Sequence, residues 1–147
     1  MAQFADITAI LEVALGVGCA LAGVWAWRRD GATRAFWLAW RAVQLGATAL
    51  AAVAIAAFVS GFDPAEGLFW LYLLLPIAIS IIAEQLRLAS AQLVLDQHGL
   101  EDAQAVGRLP EAEQRWVVAA IMRRETAVAA IAALVIAFLA LRILGTT

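Results

Sequence analysis

Four long apolar stretches divide the chain, and shorter polar segments separate them. A helix rises about 1.5 Å per residue, so about 20 apolar residues cross a bilayer, and each stretch has that length. The pattern predicts four membrane-spanning helices, over residues 6–27, 36–60, 67–88 and 124–144. Two short turns join the first three spans, and a longer segment joins the third to the fourth.

The longer segment, residues 88–123, has the pattern of helices that leave the membrane. Leu93 and Val94 continue the apolar side of the third helix, and Gly99 is a candidate end of that helix. Pro110, followed by acidic residues, is typical of a helix start. We therefore expect an all-α integral membrane protein of one domain. We expect its fold to be a four-transmembrane-helix bundle, with a cytoplasmic helical hairpin that extends the third and fourth helices.

Arginine placement predicts the orientation. All basic residues are arginine, and all but Arg142 lie around the first turn or in or beside residues 88–123. The turn after the second span contains Asp63 and Glu66 but no arginine. The positive-inside rule then makes the arginine-rich side cytoplasmic and puts both termini outside. A chain without lysine is typical of a GC-rich bacterial genome, so we expect the bacterial cytoplasmic membrane.

Polar residues form one stripe on each of two neighbouring spans. Steps of three and four put each set on one helix face: Trp37, Arg41, Gln44 and Thr48 on the second, and Tyr72, Pro76, Ser80, Glu84 and Arg87 on the third. Running the two helices antiparallel puts Arg41 level with Glu84, and Gln44 level with Ser80. We therefore predict an Arg41–Glu84 ion pair roughly 5 to 10 Å below the inner boundary.

This polar group has two interpretations. It is either a clasp that fixes which helices pair, with Arg41 and Arg87 reaching towards the headgroups, or a site for an anionic headgroup, a substrate or an ion. Pro76 also leaves the carbonyl of Tyr72 without its helical donor, and Thr48 is a candidate partner for it.

Glu12 is the second unusual polar residue. It is expected about 10 Å inside the outer boundary of the first span, where Arg142 is the one basic residue near its depth. Carboxyl groups inside a membrane often mark proton relays and ion pathways. The structural alternatives are pairing with Arg142, a hydrogen bond to Tyr72, or closeness to the outer interface.

Small residues are frequent in the spans. Gly16, Gly18 and Gly23 do not have the spacing of a dinucleotide-binding loop, and no predicted strand precedes them. They suit close helix contact instead, as do the alanines of the second and fourth spans. We expect tight packing within the bundle and self-association into a homo-oligomer.

Several kinds of chemistry are not supported by the residues. Cys19 and His98 are the only cysteine and histidine, so an intrachain disulfide or a Cys/His zinc site is excluded, and we predict no metal and no cofactor. No nucleophile with a neighbouring base indicates catalysis. The net charge of −2 argues against nucleic acid as a partner. Arg123 and Arg124 are expected to contact lipid headgroups.

The leading functional hypothesis is an oligomeric channel or transporter for a small ion or solute. Glu12 and Tyr72 would form its outer half, and the inner site would comprise Arg41, Gln44, Ser80, Glu84 and Arg87. The alternatives are a non-catalytic partner protein that docks another protein through the hairpin, and a membrane enzyme acting on a lipid or quinone headgroup.

Overall fold

The computed structural model describes residues 2–29, 31–64 and 67–145, without the side chains of Ala2 and Ala5. Glu66 of the predicted acidic turn therefore lies outside the described residues. Within those ranges all regular structure is helical: α1 (Ala2–Arg28), α2 (Arg34–Val59), α3 (Leu68–Gln97), α4 (Ala103–Val106) and α5 (Glu111–Ile143). The four longer helices are long and apolar enough to cross a membrane, which confirms the all-helical class and the number of candidate spans.

The four long helices form an antiparallel bundle. Helix α5 packs extensively along both α1 and α3, while α2 contacts α1 and α3 and only slightly touches α5. Their order around the bundle is therefore α1, α2, α3 and α5, so that the first and last helices are neighbours. Short connections between successive helices produce this up-and-down arrangement.

The interior of the bundle is filled by a few large side chains against many alanines. In the half that contains the first turn, Phe36 and Trp40 are fully buried against Ala83, Ala129 and Ala133. In the other half the buried residues include Ala9, Leu50, Phe69, Leu73 and Ile143. Small residues bring the helices close together, which increases the dispersion contacts that hold membrane helices together.

Local sequence explains the helix ends. The hydroxyl of Thr33 accepts a hydrogen bond from the Phe36 backbone N–H at 3.3 Å and caps α2. Gly61, with a φ of +96°, allows the chain to turn after α2. Gly99 has a φ of +66° one residue after the cap of α3 at His98, so its left-handed conformation ends that helix as expected.

Helices α3 and α5 both continue beyond the length that a bilayer requires. They have 30 and 33 residues, and their far ends share a small apolar cluster of Val94, Leu95 and Val117. Leu100, Val106 and Leu109, on the connection through α4, pack against the same cluster. The extension is therefore held by packing of its own, while its cytoplasmic location stays a prediction.

Glycines allow α1 and α5 to approach each other closely. A Cβ atom added to Gly16 would lie 2.8 Å from the carbonyl oxygen of Ala133, and one added to Gly23 would lie 2.5 Å from the Cβ of Ala130. Gly18 differs from the expectation, because a Cβ there would meet nothing within 4 Å. It lies on the outer face of α1, so it does not contribute to the α1–α5 contact.

We predict that Gly16→Ala destabilises the bundle by about 1 to 3 kcal/mol, because the added methyl group pushes against the backbone of α5. Gly18→Ala is the matched control and should raise the free energy of unfolding by up to about 1 kcal/mol, since its methyl group points into open space and alanine favours the helix. Reversible unfolding in detergent micelles measures both. Equal effects of the two variants would contradict the close approach at Gly16.

Candidate functional site

Glu84 is the centre of the polar group between α2 and α3. One of its carboxylate oxygens, Oε1, accepts hydrogen bonds from the Trp40 indole Nε1 and the Gln44 amide Nε2, both at 2.9 Å. Arg41 Nη1 lies 3.3 Å from the same oxygen, which confirms the predicted Arg41–Glu84 ion pair. The other oxygen, Oε2, accepts from Arg87 Nη1 at 2.8 Å. Four donors therefore surround one carboxylate.

Arg87 links this group to α5. Its Nη2 lies 3.5 Å from Oε2 of Glu125, and its guanidinium stacks on the ring of Trp37 at 4.2 Å. The charges of Arg41, Glu84, Arg87 and Glu125 alternate in sign across three helices. A charge in an apolar environment requires partners of opposite sign, and this chain of pairs supplies them.

Two further predicted members of the stripes do not join the network. Ser80 is buried, but its hydroxyl has no hydrogen-bond partner within the described residues. Thr48 donates to the carbonyl of Gln44 in its own helix at 2.9 Å, rather than to the carbonyl of Tyr72. A threonine hydroxyl can donate a hydrogen bond to the carbonyl one turn earlier in its own helix. This bond costs less entropy than a bond to a neighbouring helix.

Glu12 is almost completely buried, with 1% of its surface exposed. Neither of its carboxyl oxygens has a hydrogen-bond partner in the described part of the chain. The side chain lies against Gly46 of α2 so closely that a Cβ at Gly46 would be 1.9 Å from Glu12 Oε2. Leu15, one turn along α1, lies beside the same point of α2 and is partly exposed. The carboxyl group is thus enclosed between α1 and α2, just beneath the surface of the bundle.

The surroundings of Glu12 differ from the sequence-based expectation, although the candidate span of α1 begins at Asp6 as predicted. Helix α1 itself begins at Ala2, so Glu12 lies about 15 Å from the start of the helix. Gly46, which it contacts, is close to the midpoint of α2. The two suggested partners bind each other instead, because the guanidinium of Arg142 lies over the Tyr72 ring at 5.5 Å.

Three residues at these sites escaped the sequence analysis. Trp40 is fully buried and hydrogen-bonded to Glu84. Its burial could have been inferred, because Phe36, Trp40, Val43 and Ala47 recur at helical spacing. Glu125 could not be identified as a partner of Arg87 without knowing that α3 and α5 are neighbours. Nothing in the sequence except its small size indicated that Gly46 contacts Glu12.

The remaining reactive groups do not form a catalytic arrangement. Among the described residues no three histidine, cysteine, aspartate or glutamate side chains come together as a metal site. Cys19 is a free, buried cysteine in the apolar core. The Nδ1 atom of His98 lies 2.7 Å from the carbonyl oxygen of Val94, and its ring contacts Trp116. Glu12 and the Glu84 group therefore remain the two candidate sites.

Comparisons with known proteins do not point to a function. No family model, no curated protein and no solved structure matches the chain. The functional argument therefore depends on the geometry of Glu12 and of the Glu84 group.

We predict that Arg87→Gln destabilises the protein more than Arg41→Gln does. Arg87 is 16% exposed and holds two carboxylates, so its loss leaves Glu84 and Glu125 short of partners, at a cost of about 3 kcal/mol. Arg41 is 61% exposed, and its loss should cost less than about 1 kcal/mol. Thermal unfolding in lipid nanodiscs provides the comparison. A larger loss for Arg41→Gln would contradict the central role of Arg87.

Proposed function

We propose that this protein is an oligomeric membrane protein that transfers protons across the bilayer, and that Glu12 binds and releases them. The observation that carries the proposal is the isolation of the Glu12 carboxyl. It is buried beside the midpoint of α2, without a hydrogen-bond partner in the described residues. A carboxyl group at such depth is costly and needs a reason to be there.

A proton fits this position better than a metal ion does. Calcium takes six to eight oxygen ligands, and magnesium takes about six in octahedral geometry. Glu12 supplies two oxygens, and its neighbours on α2 and α1 are Gly46 and the aliphatic Leu15. A proton requires one oxygen only, and it neutralises the carboxyl group, so that the group can remain in apolar surroundings.

The seam between α1 and α2 offers a route for the proton. Gly46 lies against the carboxyl group, Leu15 lies beside the same point, and both residues are partly exposed. A small movement of α1 against α2 would admit water there, and water stabilises the charged form after the proton leaves. Side-chain and helix movements of this kind occur in microseconds to milliseconds.

The filled interior supports an oligomer. Phe36, Trp40, Phe69 and Leu73 occupy the centre of the bundle, so protons would not pass along its axis. We propose that a second copy covers the α1–α2 seam and forms the rest of the pathway. Tyr72 and Arg142, near the end of the bundle opposite the first turn, would then lie on the side of proton entry or exit.

The Glu84 group has a different role in this proposal. Its four donors already satisfy the carboxylate, and Arg87 connects it to α5. A group with this many bonds resists changes in protonation, because loss of its charge would weaken every one of them. We therefore assign Arg41, Gln44, Glu84 and Arg87 to holding α2, α3 and α5 together, beside the pathway rather than in it.

We predict that Glu12→Gln reduces proton flux at least about tenfold in liposomes that contain a pH-sensitive dye and carry a potassium diffusion potential. The amide cannot carry an exchangeable acidic proton, whereas Glu12→Asp retains the carboxyl group and should retain part of the flux. Both variants should unfold within about 1 kcal/mol of the unaltered chain, because no described partner is lost.

Labelling provides a control that does not depend on transport. An apolar carbodiimide adds to a protonated carboxyl in the membrane, and the product rearranges to a stable acylurea that retains the whole reagent. Glu12 should be labelled and Glu84 should not, because Glu84 is held as a charged carboxylate by its donors. Gly46→Ala, which displaces the Glu12 carboxyl without removing it, should lower both labelling and flux. Flux that is equal in the unaltered chain and Glu12→Gln would refute the proposal.

A partner-binding role is the second candidate function. The extension of α3 and α5 leaves Leu93 and Val118 about half exposed, which is apolar surface that a protein partner could cover. If neither flux nor labelling is found, these two residues become the first positions to alter in a search for protein partners.

A further inference from the structure

We propose that a pocket at the tip of the extension, where α3 ends and α5 begins, binds an arginine side chain of a protein partner. This inference does not depend on proton transfer by Glu12, and it uses other residues than Leu93 and Val118. It follows from two acceptors without a described partner, an exposed tryptophan and an excess of negative charge, which meet at this tip.

Two helix ends form the pocket. Helix α3 is capped at His98, and Gly99, with a φ of +66°, turns the chain away from it. Pro110 caps α5 after the short connection through α4. The cavity between these ends has about 370 Å³, which is within the range of small-molecule sites. Its walls are His98, Leu109, Ala112, Glu113, Trp116 and Val117. Val117 also belongs to the apolar cluster of the extension, so packing of α3 on α5 holds the walls in place.

His98 and Glu113 supply hydrogen-bond acceptors to this pocket. The Nδ1 atom of His98 lies 2.7 Å from the carbonyl oxygen of Val94. A carbonyl only accepts, so Nδ1 carries the proton, and Nε2 of the neutral ring is an acceptor. The carboxylate of Glu113 is exposed, and no described side chain forms a hydrogen bond or an ion pair with it. A ligand with a positive charge and several N–H donors therefore matches the pocket.

Trp116 adds an aromatic surface to these acceptors. Its side chain is 60% exposed, and its ring contacts the edge of the His98 ring with 4.8 Å between the centroids. A cation over an indole ring is attracted by its π electrons, and a guanidinium also stacks on the ring through its flat face. The N–H donors of a stacked guanidinium point outwards in its plane, towards acceptors at the edge of the ring. An ammonium has no flat face, so the pocket favours arginine over lysine.

The charge around the pocket favours a cation over an anion. Residues 96–115 contain two arginines, of which Arg115 is paired with Glu111, and five acidic residues: Asp96, Glu101, Asp102, Glu111 and Glu113. The C-terminal end of α3 adds partial negative charge. The N-terminal end of α5 has the opposite sign, but Glu111 and Glu113 lie in its first turn and offset it. A phosphate or a carboxylate is therefore repelled from this tip, and a basic side chain is attracted.

The surface beyond Trp116 favours a protein as the source of the arginine. Further along α5 a second cavity, of about 300 Å³, is lined by Trp116 together with Ala119, Ala120 and Arg123. The small alanine side chains leave room for the residues that flank the arginine in a partner. The positive charge of Arg123 disfavours a second basic residue there, which directs the arginine of the partner to the pocket. A free amine would occupy the pocket alone.

His98 provides a site-specific readout, because it is the one histidine of the chain. The full chain, without a histidine tag, is labelled with 13C and 15N in histidine and placed in lipid nanodiscs in slightly alkaline buffer. The ring signal of His98 is then followed by NMR during titration with acetyl-arginine methylamide. Acetyl-citrulline methylamide is the matched probe, because it has the shape of the arginine compound without its charge. Spermidine represents the free amines.

The arginine compound should shift the His98 signal saturably, with a dissociation constant of about 1 to 10 mM, and the citrulline compound should bind at least about tenfold more weakly. Glu113→Gln should weaken arginine binding about tenfold, as expected for the loss of a charge-assisted hydrogen bond. Trp116→Leu should weaken it about two- to fivefold. Glu111→Gln removes the same charge from the same helical turn but lines no described cavity, so it should change binding by less than about twofold.

Three results would overturn the proposal. Equal weakening by Glu113→Gln and Glu111→Gln would show general charge attraction only. Equal binding of the citrulline compound, or no saturable shift in the unaltered chain, would show that the pocket does not recognise a guanidinium. Tighter binding of spermidine than of the arginine compound would make the tip a site for free amines. The His98 signal of each variant before titration confirms that the extension is folded, and Glu113 is exposed, so its replacement should not unfold it.

Discussion

A charged side chain within a membrane-spanning helix needs partners from the protein itself, because lipid tails offer none. Glu84 meets this requirement by accepting hydrogen bonds from four side chains, those of Trp40, Arg41, Gln44 and Arg87. Arg87 also forms an ion pair with Glu125. These side chains come from α2, α3 and α5, so the network fixes which faces of the three helices meet. The fully buried Trp40 shows that the apolar core and the polar network are one structure.

Helix α1 joins the bundle through a different kind of interaction. The contact of α1 with α5 depends on close approach at Gly16 and Gly23, where alanines of α5 fill the space that a side chain would take. Close approach gives many weak contacts instead of a few strong ones. Glu12, the one fully buried acidic side chain among the described residues of α1, lies on the other contact of this helix, against α2 at Gly46. Helix α1, which packs on α5 through small residues, thus carries Glu12, whose burial without a hydrogen-bond partner in the described residues requires a functional explanation.

Apolar length and helical spacing in the sequence were sufficient to predict four helices long and apolar enough to cross a membrane, and the Arg41–Glu84 pair. Both depend on relations within a helix or between helices joined by a short turn. The contact of Arg87 with Glu125 and that of Glu12 with Gly46 were not predicted, because they depend on how the helices are arranged around the bundle and how far each is rotated. The partners suggested for Glu12 were wrong, because Arg142 and Tyr72 contact each other and neither binds Glu12.

The unequal lengths of the helices separate two electrostatic environments. Helices of 30 and 33 residues measure about 45 to 50 Å, which exceeds the thickness of the hydrocarbon core, about 30 Å, by some 15 to 20 Å. That distance exceeds the Debye length of about 8 Å in physiological salt. In the predicted arrangement, where this excess length projects from the membrane, Asp96, Asp102 and Glu113 would be screened from the surface charge of the bilayer, whereas Arg123 would not. A change in lipid composition would then alter the electrostatic potential at Arg123, but not at Asp96, Asp102 and Glu113.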